Sequence, residues 1–472
     1  MTTAIALAGV GLDTYWPQFA GLRDRLVHCQ TDLAGKLGSD DVRIVDLGLV
    51  DSVAAAHAAA DRARREDCRM LVLWLSTYAL SGVIHRLVAD LPMPVVVAAL
   101  QPSAKMDIPG INALGDRGAM TGEWLAYCQA CSAPEVANVF SRTGIKLRMV
   151  AGHIGDERSI RRLREWSAAA AAAHRLRRST IGMLGGYYDG MMDVHTDVTG
   201  LAGALGCRYR GVEFARLEDA RASVTAADIA AMRSELARTF VVDPACSVPE
   251  LNRAAATAVA LDRLARDEGF DAMAYYYEGR DAGGDRDLVT SLIPGMTLLT
   301  GRGVPCAGEY EVKNATAMLI MQLIAEGGSF SEYYGLDCDD GVVLLGHDGP
   351  GHPALADGPV RLVPLPVYHG KPGKGLSIGM SVRRGPVTVL SVVQRPGGRT
   401  VLQTAQAEAV DGPTLAIGNT NSRYRFSLSP EDFVEAWSAG GPAHHCAIGT
   451  GHHAAAIGRL ADILGIEHHA VC

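Results

Sequence analysis

The sequence lacks several features that would mark particular classes of protein. No apolar run reaches the roughly 18 to 20 residues that a membrane helix needs, and no basic segment precedes the apolar stretch near the start. There is no GxxxxGK(S/T) loop, which argues against a P-loop ATPase or kinase. No helix-like stretch is rich in Lys or Arg, and the net charge of -8 provides no positive field for a polyanion. We therefore expect a soluble, cytoplasmic protein without a membrane or nucleic-acid partner.

Closely spaced cysteines are scarce as well. The ten cysteines are scattered along the chain, and in the absence of an export signal most are expected to be reduced and buried. Cys128 and Cys131 form the one close pair, with CxxC spacing but no second CxxC to complete a zinc site. The surrounding helical pattern favours ordinary helix residues over a redox or zinc role.

Strand-like and helix-like patterns alternate through the first two thirds of the 472 residues. Apolar runs such as TAIALAGV and VRIVDLG alternate with amphipathic stretches, and a second series begins at STIGMLGG after a helix predicted over residues 157–177. This alternation is typical of parallel sheets with helices on both faces. From residue 337 Gly and Pro are dense, and short alternating runs predict antiparallel strands. The predicted fold class is α/β: two doubly wound parallel-sheet domains (1–176 and 177–330) followed by a C-terminal antiparallel β-barrel-like domain (331–472).

Two carboxylates and an imidazole surround a strongly apolar helix predicted over residues 315–324. Glu309 stands just before this helix, where free backbone N–H groups favour a carboxylate. Glu332 lies in the loop that leaves the helix, and His347 follows a short strand. A strand-helix-strand unit can bring these loop edges together, and the mixed donors suit Mn²⁺, Co²⁺ or Zn²⁺. Taken alone, Glu309 is equally well an ordinary first-turn residue, and Lys313 is expected to pair with it at i,i+4 or to tune its carboxylate.

Histidine is concentrated near the end of the chain, where nine of the 15 lie after residue 346. His444 and His445 provide a fourth candidate donor. Adjacent residues in a strand point in opposite directions, so only one of the two is expected to be a ligand. The pairs at 452–453 and 468–469 are expected at the surface.

Seven motifs in order resemble those of the L-arabinose isomerases and, more distantly, the L-fucose isomerases. They are VAGHIGDERSIRRLREWSAAAAA, GEYEVKNATAMLIM, SFSEYYGLD, VVLLGHDG, YHGKPGKG at 368–375, SRYRFSL at 422–428 and EAWSAGGPAHHCAI at 435–448. The resemblance covers nearly the whole length of the chain. One such motif would mean little, but seven in the correct order are specific.

The resemblance implies a divergent family member with one divalent metal, Mn²⁺ or another such as Co²⁺. The implied ligands are Glu309, Glu332, His347 and His445, with His444 on the substrate side. The implied reaction is aldose-ketose isomerisation of a pentose or hexose through a cis-enediol. Glu309 and Glu332 would be the catalytic acid/base carboxylates as well as ligands.

The resemblance also implies a homotrimer or homohexamer with active sites at the subunit interfaces. Tyr15, in the loop after the first strand, is then expected to line a neighbouring subunit's site. Tyr276, in the aromatic run of the predicted strand FDAMAYYY, is a further candidate for contact with the sugar, although tyrosines in a strand are more often core or rim residues.

The chain departs from the family where the sugar is expected to bind. Met120 and Thr121 lie where family members usually have a His-Gly pair, and DGPGHP places Asp348 and His352 near the metal. L-arabinose, a deoxy-sugar, D-galactose and an anionic sugar all stay open. Cations available for an anionic sugar are Arg280, Arg302, Lys371 and Lys374. The alternative functions are a sugar-binding protein without turnover and a metal-assisted epimerase or lyase.

Overall fold

The computed structural model describes residues 2–276, 285–366 and 374–472. The chain forms two compact units, Met1–His174 and Arg175–Cys472; the further division near residue 330 stays a prediction. Among the helices of the described ranges, none combines the length and apolar character that crossing a bilayer requires. All ten cysteines are free thiols, and six of them are buried.

The first unit contains a five-stranded parallel sheet in the order β2-β1-β3-β4-β5. Its elements are β1 (Thr3–Val10), α1 (Leu22–Leu37), β2 (Val42–Val50), α2 (Val53–Arg65), β3 (Leu71–Leu75), α3 (Ser81–Ala89), β4 (Val95–Gln101), α4 (Ile108–Ala113), α5 (Arg117–Leu125), α6 (Gln129–Thr143), β5 (Met149–His153) and α7 (Glu157–Leu176). All eight residues of β1 are buried, because helices cover both faces of such a sheet.

A second parallel sheet, in the order β10-β9-β6-β7, begins the second unit. Its strands and the helices around them are β6 (Thr180–Leu184), α8 (Val198–Leu205), β7 (Arg208–Val212), α9 (Phe214–Ala222), α10 (Ala226–Thr239), β8 (Val241–Val242), α11 (Val248–Glu268), β9 (Ala272–Tyr275), α12 (Asp285–Val289), α13 (Leu292–Gly301), β10 (Cys306–Ala307) and α14 (Val312–Ile324). The two parallel sheets confirm the predicted α/β character of this part of the chain.

Six of the remaining strands build a closed barrel. The remaining strands and their helices are β11 (Ser329–Asp337), β12 (Val342–His347), β13 (Arg361–Leu365), β14 (Gly375–Gly379), β15 (Gly385–Arg395), β16 (Arg399–Val410), β17 (Thr420–Phe426), α15 (Pro430–Ala439), β18 (His445–Thr450), α16 (Ala454–Leu464) and β19 (Glu467–Ala470). β11, β12, β17, β16, β15 and β18 pair antiparallel in that order, and β18 pairs back onto β11. The antiparallel character predicted for the C-terminal region is confirmed.

Two smaller features complete the second unit. β8, β13 and β14 form a separate three-stranded sheet. β19 adds to β16 in parallel and contains His468 and His469. The pair at 468–469 was expected at the surface. Instead both residues are half-buried in a sheet, and His468 Nε2 lies 2.9 Å from Thr404 Oγ1.

Candidate metal centre

Glu309 reaches the centre from the carboxyl end of β10, through a strained piece of backbone. Glu309 and Tyr310 have positive φ angles of 54° and 55°, a region that costs non-glycine residues about 1–3 kcal/mol each. Two hydrogen bonds hold the turn: Tyr310 N donates to Tyr275 O at 2.9 Å, and Glu311 N donates to Gly308 O at 3.0 Å. The turn leaves the Glu309 side chain buried at the start of α14.

The barrel register brings the other candidate residues together on three adjacent strands, with His445 at the start of β18 and His347 at the end of β12. Glu332 on β11 lies opposite His445 on β18 and opposite Gly346 on β12, and His347 follows Gly346. Glu332 is therefore in a strand, not in the loop that the sequence predicted. A Cβ at Gly346 would lie 2.0 Å from Thr420 O, so only glycine allows this close strand approach beside His347.

The side chains of these residues converge on the carboxylate of Glu309. His445 Nε2 lies 3.5 Å from Glu309 Oε2, and His347 Nε2 lies 3.8 Å from Glu309 Oε1. His444 Nε2 lies 3.6 Å from Glu309 Oε2 and 3.9 Å from Glu332 Oε2. Donor atoms of Glu309, His347 and His445 all lie within 4.8 Å of one another, as do those of Glu332, His444 and His445.

This donor set fits a divalent metal ion. Ligand atoms about 2.0–2.2 Å from one ion are at most about 4.4 Å apart, so separations of 3.5–3.9 Å suit ligands of a single ion. The His445 side chain is fully buried, yet neither of its ring nitrogens has a hydrogen-bond partner among the described residues. Because buried polar groups are normally paired, a cation bound at Nε2 would give this imidazole a partner.

Both histidines of the adjacent pair face the centre, contrary to the expectation that they point apart. His444 lies in a bend before β18, so the alternation of a strand does not apply to it. Its ring centroid lies 3.8 Å from that of His445. Asp193 Oδ2 fixes His444 from behind, since it lies 2.6 Å from Nδ1 and accepts a 3.0 Å hydrogen bond from the backbone N. Nε2 is thereby directed at the two glutamates.

A buried ion pair lies behind His445. Lys313 Nζ lies 2.9 Å from Glu311 Oε1, with both side chains almost fully buried. Glu311 Oε2 is 3.8 Å from His445 Nδ1. The predicted partner of Lys313 was Glu309, but Glu309 precedes the helix in the left-handed turn and its carboxylate faces the histidines instead.

An aromatic side chain packs against the two buried imidazoles. Phe330 is fully buried, and its ring centroid lies 4.1 Å from that of His347 and 4.6 Å from that of His445. The ring leaves little room for the imidazoles to rotate, so packing holds both rings near Glu309.

Burial and neighbouring charges shift the pKa values of Glu332 and His444, the two more exposed residues of the centre. Burial is the main cause that raises the pKa of Glu332; nearby imidazoles oppose this rise and the charge of Glu309 adds to it. Burial alone would lower the pKa of His444, but hydrogen bonds to Glu309 and Asp193 outweigh it and raise the pKa to about 9. Without a bound cation His444 is therefore an imidazolium that offsets part of the negative charge.

Tyr15 and Tyr276 lie at the carboxyl edges of the two parallel sheets. Tyr15 belongs to the first unit, in a 3-10 turn after β1, and packs edge-on against Phe19 at 5.9 Å. Tyr276 follows β9, is buried, and contacts Tyr188 at 5.3 Å between ring centroids. Their roles as substrate contacts stay predictions.

Other residues singled out in the sequence differ in their relation to the centre. His352 Nε2 lies 3.4 Å from Gln322 Oε1, and His352 belongs to neither group of candidate ligands among the described residues. Asp348 accepts a 3.0 Å hydrogen bond from Ser377 Oγ, and its charge is close enough to Glu332 to contribute, after burial, to the raised pKa of that carboxyl. Arg302 forms ion pairs with two surface carboxylates. Arg280, Lys371 and positions 368–373 of the motif YHGKPGKG lie outside the described residues.

The sequence reasoning missed Asp193, Glu311 and Phe330. Asp193 follows β6, and the rule that ligands bind beyond the carboxyl ends of parallel strands could have pointed to its loop. Glu311 stands two residues after Glu309 and reads as an ordinary charged residue. For Phe330 the pattern gives no signal, because a phenylalanine in a strand is most simply part of a core.

Comparison with known proteins places the chain near one group of enzymes. No family model matches it. It is 23% identical to an L-arabinose isomerase of Nocardioides sp. over 444 residues, which is 89% of this chain and 83% of that protein. It is 25% identical to the L-arabinose isomerase of Aeromonas hydrophila and 23% identical to that of Shouchella clausii, over 70% and 71% of this chain and 68% of each relative. The chain is thus a distant relative of L-arabinose isomerases over most of its length, which supports a sugar isomerase.

Proposed function

We propose that this protein is a divergent member of the L-arabinose isomerase family, a divalent-metal-dependent aldose-ketose isomerase. The observation that carries the proposal is the convergence of two glutamates and two buried imidazoles at one end of the barrel. Oxygen and nitrogen donors of this kind suit Mn²⁺ or Co²⁺. A purely structural role would leave buried carboxylates and imidazoles without a reason to meet.

Glu309, Glu332, His347 and His445 would hold the ion. When bound, it supplies a Lewis acid that polarises the sugar carbonyl and orients the neighbouring hydroxyl. His444 is more exposed than His445, so we assign it to the substrate side, where its Nε2 can donate to a sugar oxygen. Asp193 keeps that nitrogen pointing inward.

The two carboxylates divide the proton transfers. Isomerisation moves a hydrogen between C1 and C2, so one carboxylate must take a proton from one carbon and return it to the other through a cis-enediol. Glu332 suits this role because it is the more exposed of the two and burial raises its pKa, which makes the carboxylate a stronger base. Glu309 is nearly enclosed, and we assign to it the transfer of the hydroxyl proton.

The wider setting belongs to the same proposal. The substrate is a pentose or hexose, and the protein acts in the cytoplasm as a homotrimer or homohexamer. Tyr15 of one chain lines the site of a neighbouring subunit, and Tyr276 lies near the sugar. These assignments rest on the similarity to L-arabinose isomerases.

The test is turnover of sugars by chelator-treated protein reloaded with Mn²⁺ or Co²⁺. We expect ketose formation from at least one aldose in a panel, with activity lost on chelation and in Glu332→Gln. Glu326→Gln is the matched control, because Glu326 is exposed and pairs with Arg383 away from the centre. Product NMR separates isomerisation from epimerisation or cleavage. Sugar binding without turnover under every metal would overturn the proposal.

A further inference from the structure

A pair of thiols lies in the first unit, whereas the residues of the candidate metal centre belong to the second. Cys128 Sγ and Cys131 Sγ are 3.4 Å apart, and both thiols are free. Cys131 N donates a 3.1 Å hydrogen bond to Cys128 O at the start of α6. Disulfides join Cβ atoms about 3.5–4.5 Å apart, whereas residues three apart within a helix have Cβ atoms about 5–6 Å apart. Cys128 is the residue just before α6 and not part of its interior, so a bond between the two sulfurs needs side-chain rotation and a small adjustment of the backbone at this helix end.

The backbone around the pair is anchored to the loop after β3. Gln129 Nε2 donates to Ser76 O at 2.7 Å, and Thr77 Oγ1 donates to Leu125 O at 2.7 Å. Ser132 Oγ accepts from Ala79 N at 2.9 Å. All three bonds are buried, so they hold the first turn of α6 and keep the two sulfurs together.

The two thiols differ in access. Cys131 is exposed and Cys128 is buried. Burial, with the adjacent Cys131, raises the pKa of the Cys128 thiol to about 12. A reagent in solution can thus reach Cys131, whereas Cys128 can only react with a sulfur that is delivered to it.

We propose that Cys128 and Cys131 form a reversible dithiol-disulfide pair that oxidised glutathione converts into an intramolecular disulfide. The Cys131 thiolate attacks one sulfur of oxidised glutathione and displaces the other half as glutathione thiolate. Cys128 then attacks Cys131 Sγ, the bond from Cys131 to glutathione breaks, and the proton of Cys128 passes to the glutathione thiolate that leaves. Two protein thiols are oxidised to one disulfide, and one oxidised glutathione is reduced to two molecules of glutathione.

The pair lies where ligand contacts are expected in the first unit. The pair lies near Tyr15, whose pKa is raised mainly by burial and in part by the two cysteines. This is the carboxyl edge of a doubly wound sheet, the usual place for ligand contacts. The proposal does not depend on the proposed isomerase activity.

Mass spectrometry of the full-length protein tests the pair directly. After treatment with oxidised glutathione, remaining thiols are alkylated and the protein is digested with trypsin. Peptide 118–142 contains both cysteines and no other. We expect its main form to lack two hydrogen atoms and to carry no alkyl group or glutathione, and dithiothreitol should restore two alkylatable thiols.

Two controls keep the result interpretable. Cys128→Ser should stop at a glutathione adduct on Cys131, because the second thiol is gone. Cys338 is exposed beside Glu431 rather than beside a sulfur, so in the same sample it should take up glutathione only. If wild-type peptide 118–142 shows only a glutathione adduct, or stays fully alkylatable while Cys338 reacts, the proposal is wrong; this wild-type result decides even if the variant folds poorly.

Discussion

Replacing Lys313 by methionine is expected to destabilise the protein strongly. Lys313 is the buried partner of Glu311, at 2.9 Å, and its Nζ also donates to Asp193 O at 2.9 Å and Val194 O at 3.2 Å. Methionine retains much of the apolar stem but leaves the Glu311 carboxylate buried without its cation. Removing one member of a buried pair costs about 3–5 kcal/mol.

The double variant Lys313→Met with Glu311→Gln separates charge from packing. It removes the uncompensated charge of Glu311 and leaves mainly the Asp193 and Val194 carbonyls without their donor. We therefore expect the free energy of unfolding to fall by only about 1–3 kcal/mol. Urea unfolding followed by circular dichroism, in the presence of chelator, gives the free energies of unfolding without a contribution from metal binding. A loss below about 1 kcal/mol for Lys313→Met, the value of an exposed ion pair, would refute the reasoning.

Two further predictions concern the second unit. Asp193→Asn should weaken the hydrogen bond to His444 Nδ1 and lower kcat about 10- to 100-fold, with little change in the melting temperature. A fall in kcat that comes with a clearly lower melting temperature would point to a folding defect instead. Burial holds the pKa of His352 at about 4, so the unfolded chain binds more protons below pH ~6.5, and stability should fall by up to about 3 kcal/mol as pH drops from ~6.5 to ~4. In His352→Gln the free energy of unfolding should fall less than in wild type between pH ~6.5 and ~4, as measured by urea unfolding across this range.

The sequence patterns predicted strand and helix types well where burial decides them. TAIALAGV became β1 (Thr3–Val10), and the helix predicted over 157–177 became α7 (Glu157–Leu176). The amphipathic stretch after TAIALAGV starts near residue 16, but α1 begins only at Leu22, because Gly21 adopts a left-handed φ of 80° just before it. Apolar periodicity fixes which face is buried, whereas a helix start depends on local turns that the period does not describe.

The candidate site was only partly predictable for the same reason. Glu309, Glu332, His347 and His445 could be named because motifs carried them. In the structure Glu309 and His347 form one candidate group with His445, and Glu332 forms another with His445 and His444, so the ligand set stays a prediction. The inward direction of His444 depends on Asp193, more than 200 positions earlier in the chain. Contacts of that kind come from the packing of loop against barrel, and no local pattern encodes them.

The most direct test of the central claim is Mn²⁺ binding to the purified protein, followed by the electron paramagnetic resonance signal of the free ion. We predict one saturable site per chain, with affinity at least about tenfold weaker in Glu309→Gln and His445→Gln and unchanged in the control Glu326→Gln. If Glu309→Gln and His445→Gln bind Mn²⁺ as tightly as wild type, or wild type shows no saturable site, then these residues do not form a metal centre.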